Sequence, residues 1–190
     1  MPMPRIPYPI ASEIYPALRR TLEHAPLNGT LMLGRTSEAV FDGFGRFSRA
    51  FYSDAELDHT VREIAILRVA YLSNAEYAIQ QHESAARMLK MTDAYIAAIR
   101  EGGPQLGTLS LQHQAVLDFT DDVIKNVRAS DTTLNTLRQF LNDKSVADLI
   151  MLIGCYMTIT RYLETMGVPP EQAPSDSGSL VKKLEAGKIE

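Results

Sequence analysis

The chain has 190 residues, of which 45% are hydrophobic and 22% charged, and its formal net charge is −4. This length and composition predict one domain around one core of ordinary size. The acidic balance and the lack of a basic stripe exclude phosphate-backbone binding, so we expect no nucleic-acid partner. We find neither a signal-peptide pattern nor an apolar run approaching a bilayer span, and therefore expect a cytoplasmic protein without a membrane partner.

The few cysteines and histidines argue against metal or disulfide chemistry. Cys155 is the only cysteine, so the chain has no cysteine pair for a disulfide, a redox couple or a zinc site. The four histidines are scattered, without the spacing of a metal-binding motif. We therefore expect no metal ion and no other cofactor.

The chain begins with a predicted arm and a predicted helix. Residues 1–10 are interrupted by prolines and predict an extended arm that can pack on a neighbouring subunit. Residues 11–24 predict a helix because apolar residues recur at four-residue steps. The Asn-Gly pair at residues 28–29 predicts a turn before the next helix.

An aromatic stripe marks the next predicted helix, which runs from an N-cap at Ser37 to about Tyr52. Four phenylalanines on one face favour a place in the core, with a pocket wall as the alternative. Arg46 and Arg49 follow this stripe and could face a carboxylate.

Three more helices are predicted before the middle of the chain. Two of them cover residues 57–72 and 75–89, and Ser53-Asp54 is expected to cap the first. Thr92 is expected to cap the third, which covers residues 93–100 and ends at a Gly-Gly-Pro sequence.

The second half of the chain predicts three further helices. Ser110 and Asp131 are the expected N-caps of two of them. The third, residues 146–166, is apolar on nearly all sides and is expected to lie centrally or at a subunit interface. No segment alternates like a strand, so the fold class is all-α with about seven or eight helices. We expect one domain over residues 1–168 and a polar tail over residues 169–190 that is mobile or lies on the surface.

Glu63 and His82 interrupt helix faces that otherwise resemble buried faces. A carboxylate in such a place must be paired or protonated, and pairing with Arg62, Arg68 or Arg161 is one interpretation. The face of His82 is mostly alanine, which leaves either a close helix contact or an open space; a hydrogen-bonded core histidine is the alternative. Two antiparallel helices could join Glu63 to His82, and such a pairing fixes the tautomer of the imidazole and raises its basicity.

The run that begins at Glu63, EIAILRVAYLSNAEYAIQQHESAARMLKMT, is similar to the core motif of the carboxymuconolactone decarboxylase family, which includes alkyl hydroperoxidase D-like proteins. The family pattern is a glutamate on one helix, followed by Cys-x-x-Cys-x-x-x-His on the next. Glu63 and His82 match the glutamate and the histidine, whereas Ala75 and Ala78 stand in place of the two cysteines. The likeness extends over roughly residues 5–168.

The resemblance implies an alkyl hydroperoxidase D-like helical bundle that assembles as a homo-oligomer, usually a trimer or a hexamer. It also implies that His82 and Glu63 are catalytic. The residues expected at the substrate are Tyr77, Ala78, Ala75 and Arg68. Alanine forms neither a thiolate nor a disulfide, so the peroxidase activity of the cysteine-containing members is not carried over.

Three functions remain open at this point. The first is a cofactor-free lyase, a decarboxylase of a small organic acid or lactone, with His82 as the proton carrier and Glu63 as its partner or a second acid/base. The second is an alkyl hydroperoxidase-type antioxidant that uses Cys155 in a new position. The third is a ligand-binding or structural oligomer that keeps the pair only for packing, in which case no cavity opens at the pair.

Overall fold

The described part of this computed structural model, residues 4–25, 27–103 and 108–171, is helical throughout and contains no strand. A short 3-10 turn at Ala11–Glu13 precedes nine α-helices in these residues. In chain order they are α1 (Pro16–His24), α2 (Asn28–Leu33), α3 (Glu38–Ser53), α4 (His59–Leu72), α5 (Glu76–Met88), α6 (Asp93–Glu101), α7 (Leu111–Asn126), α8 (Asp131–Leu137) and α9 (Asp143–Met166). The predicted all-α fold class is confirmed, with one helix more than the sequence indicated.

The central element is α4, in which every residue from Val61 to Ala70 is buried. It packs against α5, α7 and α9, so no side of its middle reaches solvent. The predicted central helix, α9, lies along α4 and also contacts α3 and α7, but it exposes Ile150 and Met151. A helix covered all round must be apolar all round, and α4 accordingly lacks the one-sided pattern of a surface helix.

The additional helix, α2, replaces the turn predicted at residues 28–29, and that prediction is wrong. Gly29 is buried there, and a Cβ at this residue would lie 3.0 Å from the Tyr77 ring. Met32 of the same helix packs with Tyr77, Leu163 and Val168. Contacts with distant parts of the chain therefore stabilise this short helix, and they have no counterpart in the local sequence.

Several helix ends follow the local sequence, because capping depends on residues within one turn. Thr92 and Ser110 accept hydrogen bonds from the backbone at Tyr95 and His113 and cap α6 and α7, as predicted. Gly167 ends α9 in the left-handed conformation that glycine adopts without strain.

Other predicted caps are displaced. The cap of α4 is Asp58, whose carboxylate accepts from the backbone of Thr60 and Val61, and not the Ser53-Asp54 pair. Ser130 caps α8 in place of Asp131, which is the first helical residue. α9 begins at Asp143, before the predicted residue 146, because Asn142 caps it.

The described part of the predicted arm packs on its own chain. The backbone N–H of Arg5 donates to the carbonyl of Met166 at 2.8 Å, at the end of α9. The Arg35 guanidinium donates to the carbonyls of Pro7 and Tyr8, both at 2.8 Å. At the other end, Glu171 is hydrogen-bonded to Gln80. Of the mobile or surface tail predicted over residues 169–190, residues 172–190 lie outside the described residues.

Among the described residues, α9 is the single helix long and apolar enough, by length and composition, to cross a membrane. This corrects the expectation that no apolar run approaches that length. Core helices of soluble proteins have the same length and composition, and α9 packs along α4.

An ion pair fixes α4 to α7. Arg68 Nε and Nη2 donate to the two carboxylate oxygens of Asp121 at 2.5 and 2.8 Å, and the Arg68 side chain is 7% exposed. Burial alone would raise the pKa of Asp121, but hydrogen bonds from Arg68 and Lys125 outweigh it and hold the pKa below its usual value.

Asp121→Ala is expected to lower the free energy of unfolding by about 3 kcal/mol, because it leaves Arg68 buried without its carboxylate. Urea denaturation at neutral pH measures this change. The matched control is Asp131→Ala, whose ion pair with Arg128 is exposed and for which we expect a loss below about 1 kcal/mol. Because the folded-state pKa of Asp121 is lowered, its contribution is complete above about pH 4 and is lost as the pH falls further. Equal losses in the two variants, or an Asp121 effect that persists at pH 2, would contradict this prediction.

Candidate active site

Glu63 and His82 form a buried pair between α4 and α5. Nδ1 of His82 lies 2.9 Å from Oε1 and 2.9 Å from Oε2 of Glu63. The Glu63 side chain is 1% exposed and that of His82 is 14% exposed. The buried carboxylate is thus paired with the imidazole, and this pairing differs from the interpretation that Arg68 or Arg161 binds it.

A cluster of alanines allows the two helices to approach closely enough for this contact. Ala70 of α4 packs with Ala75 and Ala78, which precede and begin α5, and all three are buried. The chain reverses between the helices at Asn74, which has a left-handed φ of 48°. Small residues at a helix contact bring the backbones together, so the alanine face of His82 is partly explained by packing.

Two tyrosines extend the pair toward α3 and α9. The ring of Tyr156 meets that of His82 edge-on at a centroid distance of 5.0 Å, and its hydroxyl lies 2.6 Å from that of Tyr52. Burial raises the pKa of both phenols, and the charge of Glu63 raises it further, so both remain protonated at neutral pH. The guanidinium of Arg62 lies 4.2 Å above the Tyr52 ring.

A cavity of about 170 Å³ opens at His82, between α2, α3, α5 and α9. Its wall is mostly apolar, and its polar groups include His82, Tyr156 and Gln81. A dry cavity of about 150 Å³ holds one benzene ring, so this space suits a small single-ring or short-chain molecule. Because Nδ1 of His82 is held by Glu63, the ring nitrogen left for such a molecule is Nε2.

Tyr77 and Ala78, two of the predicted substrate residues, line this cavity. The Tyr77 hydroxyl donates to Oε1 of Glu171 at 2.9 Å and accepts from the backbone N–H of Gly29 at 3.1 Å. Burial raises the pKa of this phenol, so it stays neutral. Tyr77 thus presents its ring to the cavity while its hydroxyl joins α2 to the segment that follows α9.

Ala75 and Arg68, the other two predicted substrate residues, do not line this cavity. Ala75 is covered by Ala70 and Ala78. Arg68 Nη1 donates to the carbonyls of Ile99 and Arg100 at the end of α6, while its other donors bind Asp121. A helix face read from the sequence does not reveal which neighbouring element covers it, and Arg68 proves to be a structural link.

Cys155 lines the cavity from α9, which the sequence did not indicate. It is 2% exposed, and burial raises the pKa of its thiol to about 12. The thiol is therefore protonated at neutral pH and is a poor nucleophile. Within residues 4–25, 27–103 and 108–171, no group of three histidine, cysteine or acidic side chains is placed to hold a metal ion.

Tyr52 and Tyr156 are site residues that sequence reasoning missed. Tyr156 lies within the most apolar predicted helix, and Tyr52 ends the phenylalanine stripe. In that context each resembles an ordinary packing residue. Their hydroxyl contact joins positions 104 residues apart, which no local pattern encodes.

The fold and the site together define a class of protein: an all-helical bundle with a buried Glu–His pair beside a small cavity. The family model for the carboxymuconolactone decarboxylase family matches residues 38–113, a segment that includes both members of the pair. The family resemblance predicted from the sequence is thus confirmed over this segment of the chain. Comparison with curated protein sequences gives no significant match.

Solved structures confirm the alkyl hydroperoxidase D-like fold. A peroxidase-related protein with an alkylhydroperoxidase AhpD core from Ralstonia eutropha JMP134 is 18% identical, with a TM-score of 0.78 over 90% of this chain and 94% of that chain. A peroxidase-related protein from Silicibacter sp. TM1040 is 15% identical, with a TM-score of 0.73 over 90% and 94% of the two chains. A cysteine-to-alanine variant of the debrominase Bmp8, in complex with 2,3,4-tribromopyrrole, is 14% identical, with a TM-score of 0.71 over 92% and 95%.

Proposed function

We propose that this protein is a cofactor-free lyase that decarboxylates a small organic acid or lactone by general acid/base catalysis. The observation that carries the proposal is the Glu63–His82 pair, which holds one imidazole nitrogen and leaves the other for the cavity. Its substrate has a carbonyl beside the carbon that loses carbon dioxide, because that carbonyl accepts the electron pair released by the broken bond.

In the proposed step His82 enters with protons on both ring nitrogens. The bond between the substrate carbon and its carboxylate breaks, carbon dioxide leaves, and the electron pair forms an enolate with the adjacent carbonyl. Nε2 then transfers its proton to the enolate carbon, and a proton from water restores the imidazolium. The negative charge of Glu63 stabilises the positive imidazolium and orients the ring through Nδ1.

The cavity wall supports a small and largely apolar substrate. Apolar side chains such as Phe44, Ile159 and Leu163 surround the space, and a few polar groups fix orientation, as in most small-molecule sites. The neutral phenol of Tyr156 is the polar group nearest to the imidazole ring on α9. The complex of Bmp8 with a tribrominated pyrrole supports a single ring as the occupant of the corresponding fold.

The two other functions have less support. The raised pKa of the Cys155 thiol, to about 12, disfavours a thiol-dependent antioxidant. A non-catalytic role for the pair predicts a filled site, whereas a cavity opens at His82. The exposed apolar Ile150 and Met151 on α9 support the homo-oligomer, which we propose as a trimer or hexamer in the cytoplasm.

Incubation with a panel of β-keto acids and carboxylated lactones tests the proposal. For an accepted substrate we expect carbon dioxide release and, in deuterated water, one deuterium at the carbon that lost the carboxylate. Nuclear magnetic resonance of the product measures both. Hydroperoxide consumption that disappears in Cys155→Ser, without carbon dioxide release from any panel member, would favour the antioxidant function instead.

A further inference from the structure

We propose that the Tyr156 hydroxyl donates a hydrogen bond to the reacting carbonyl oxygen of the substrate, and that Tyr52 positions this hydroxyl from outside the cavity. The inference rests on the proposed lyase function and adds the group that stabilises the enolate oxygen. Tyr156 would then be a catalytic residue and Tyr52 a positioning residue.

Tyr156 lies in the cavity wall beside the imidazole. It lines the cavity from α9, and its ring meets that of His82 edge-on, with a centroid distance of 5.0 Å and an angle of 83° between the ring planes. The cavity measures about 170 Å³, so a single-ring molecule that reaches His82 also lies close to Tyr156. The two side chains can therefore act on neighbouring atoms of one substrate.

The hydroxyl groups of the cavity wall differ in the partners that they have. The Tyr77 hydroxyl donates to Glu171 at 2.9 Å, and the Ser48 hydroxyl donates to a carbonyl of its own helix at 3.2 Å. The Tyr156 hydroxyl instead lies 2.6 Å from another hydroxyl, that of Tyr52. Such a pair has two protons and places one of them between its oxygens, so one O–H is left to donate.

Arg62 favours Tyr52 as the donor within the pair. Its guanidinium carbon lies 4.2 Å from the centroid of the Tyr52 ring, and its charge opposes the burial that raises the pKa of Tyr52. For Tyr156, the charges of Tyr52 and Glu63 add to the effect of burial, and the pKa is raised well above its usual value. The more acidic phenol is the better donor, so Tyr52 donates to Tyr156 and leaves the Tyr156 proton for the cavity. Successive hydrogen bonds polarise one another, which strengthens the last donor.

A neutral phenol suits the oxygen of an enolate. When carbon dioxide leaves, the electron pair of the broken bond moves toward the carbonyl, and negative charge develops on its oxygen. Because the pKa of Tyr156 is raised, its phenol keeps the proton and stabilises this charge as a hydrogen-bond donor. The proton that reaches the substrate carbon still comes from Nε2 of His82.

The binding test uses carbonyl compounds that have no carboxylate to lose, so it does not depend on turnover: cyclopentanone, cyclohexanone and γ-butyrolactone. Difference infrared spectroscopy of the full chain with isotopically labelled carbonyl groups measures the carbonyl stretching frequency of the bound compound. A donated hydrogen bond weakens the carbonyl bond. We therefore expect at least one compound to absorb at lower frequency in the protein than in hexane. No shifted band from any of the three compounds would overturn the proposal.

Three variants assign the shift to the Tyr156 hydroxyl. Tyr156→Phe is expected to remove the shift, and Tyr52→Phe to reduce it, because Tyr156 then keeps its proton but loses its own donor. Tyr71→Phe is the matched control and should retain the shift, since the Tyr71 hydroxyl donates to Glu83 at 2.9 Å and does not line the cavity. A shift that survives Tyr156→Phe, or that Tyr71→Phe removes equally, would overturn the proposal. A larger shift in Tyr52→Phe would overturn the positioning role of Tyr52.

Turnover separates this inference from the lyase function. With an accepted substrate, Tyr156→Phe is expected to lower kcat about 10- to 100-fold with little change in KM, the range of a hydrogen bond to a charged oxygen. An infrared shift without carbon dioxide release from any substrate would support the Tyr156 donor while the lyase function fails. Carbon dioxide release with wild-type kcat in Tyr156→Phe would support the lyase function and overturn the role of Tyr156.

Discussion

His82→Ala is expected to reduce kcat for carbon dioxide release by about 100- to 10,000-fold, the contribution of a well-placed general acid. The imidazole is the group of the cavity wall that both faces the space and is oriented by a buried carboxylate. Alanine supplies no proton, so the enolate must take one from water. The measurement is kcat and kcat/KM with the best substrate of the panel.

Alanine also leaves Glu63 buried without its partner, which costs about 1–3 kcal/mol of stability. His82→Gln is therefore the second variant, since its amide can still donate to the Glu63 carboxylate but cannot carry a proton between substrate and water. Both variants should retain the helical circular dichroism of the wild type.

His113→Ala is the matched control. His113 is half-buried on α7, contacts the Tyr95 hydroxyl and does not line the cavity. We expect this variant to retain activity. Wild-type kcat in folded His82→Gln would exclude the imidazole as the proton carrier and would leave the pair with a packing role.

Glu63→Gln is expected to lower kcat by about 100-fold or more with little change in KM. The amide has the shape of the carboxylate, but its NH2 group can donate to Nδ1 of His82. The imidazole then carries its proton on Nε2, the tautomer opposite to the one that the carboxylate imposes, and its positive form loses the stabilising negative charge. The measurement is kcat and KM with the best substrate of the panel.

Glu83→Gln is the matched control for the Glu63→Gln variant. Glu83 lies on α5 next to His82, but its carboxylate accepts hydrogen bonds from Tyr71, Arg87 and Arg100, and it does not line the cavity. Glu63→Asp keeps the charge on a shorter side chain and should recover part of the lost activity. A Glu63→Gln enzyme with the wild-type kcat would show that the carboxylate does not act through the imidazole.

The site lacks the features that cysteine-dependent relatives need for their chemistry. Ala75 and Ala78 stand at the positions of the family's two cysteines, and here they pack α4 against α5. Cys155 lies at the cavity on another helix, but the raised pKa of its thiol removes the thiolate. The chemistry proposed for the site is proton transfer, and this is why the two variants above have the largest expected effects.

Local signals account for what was predictable in the fold. The caps at Thr92 and Ser110 and the glycine that ends α9 depend on residues within one helical turn, and these predictions are confirmed. α2 depends on contacts of Met32 with Leu163 and Val168, more than 130 residues away, and was therefore predicted as a turn. The additional helix, α2, is thus a product of tertiary packing.

By itself the sequence determined the all-helical class, the resemblance to the family motif, and the place of two polar residues on otherwise apolar helix faces, because periodicity, caps and motif spacing are local properties. The tertiary structure decided which groups surround those residues. It joined Glu63 to His82, brought Tyr156 and Cys155 to the cavity, and directed Arg68 to Asp121 of α7. Partners of a buried polar group are set by the packing of distant helices, and helical periodicity gives the direction of a side chain but not the neighbour that it meets.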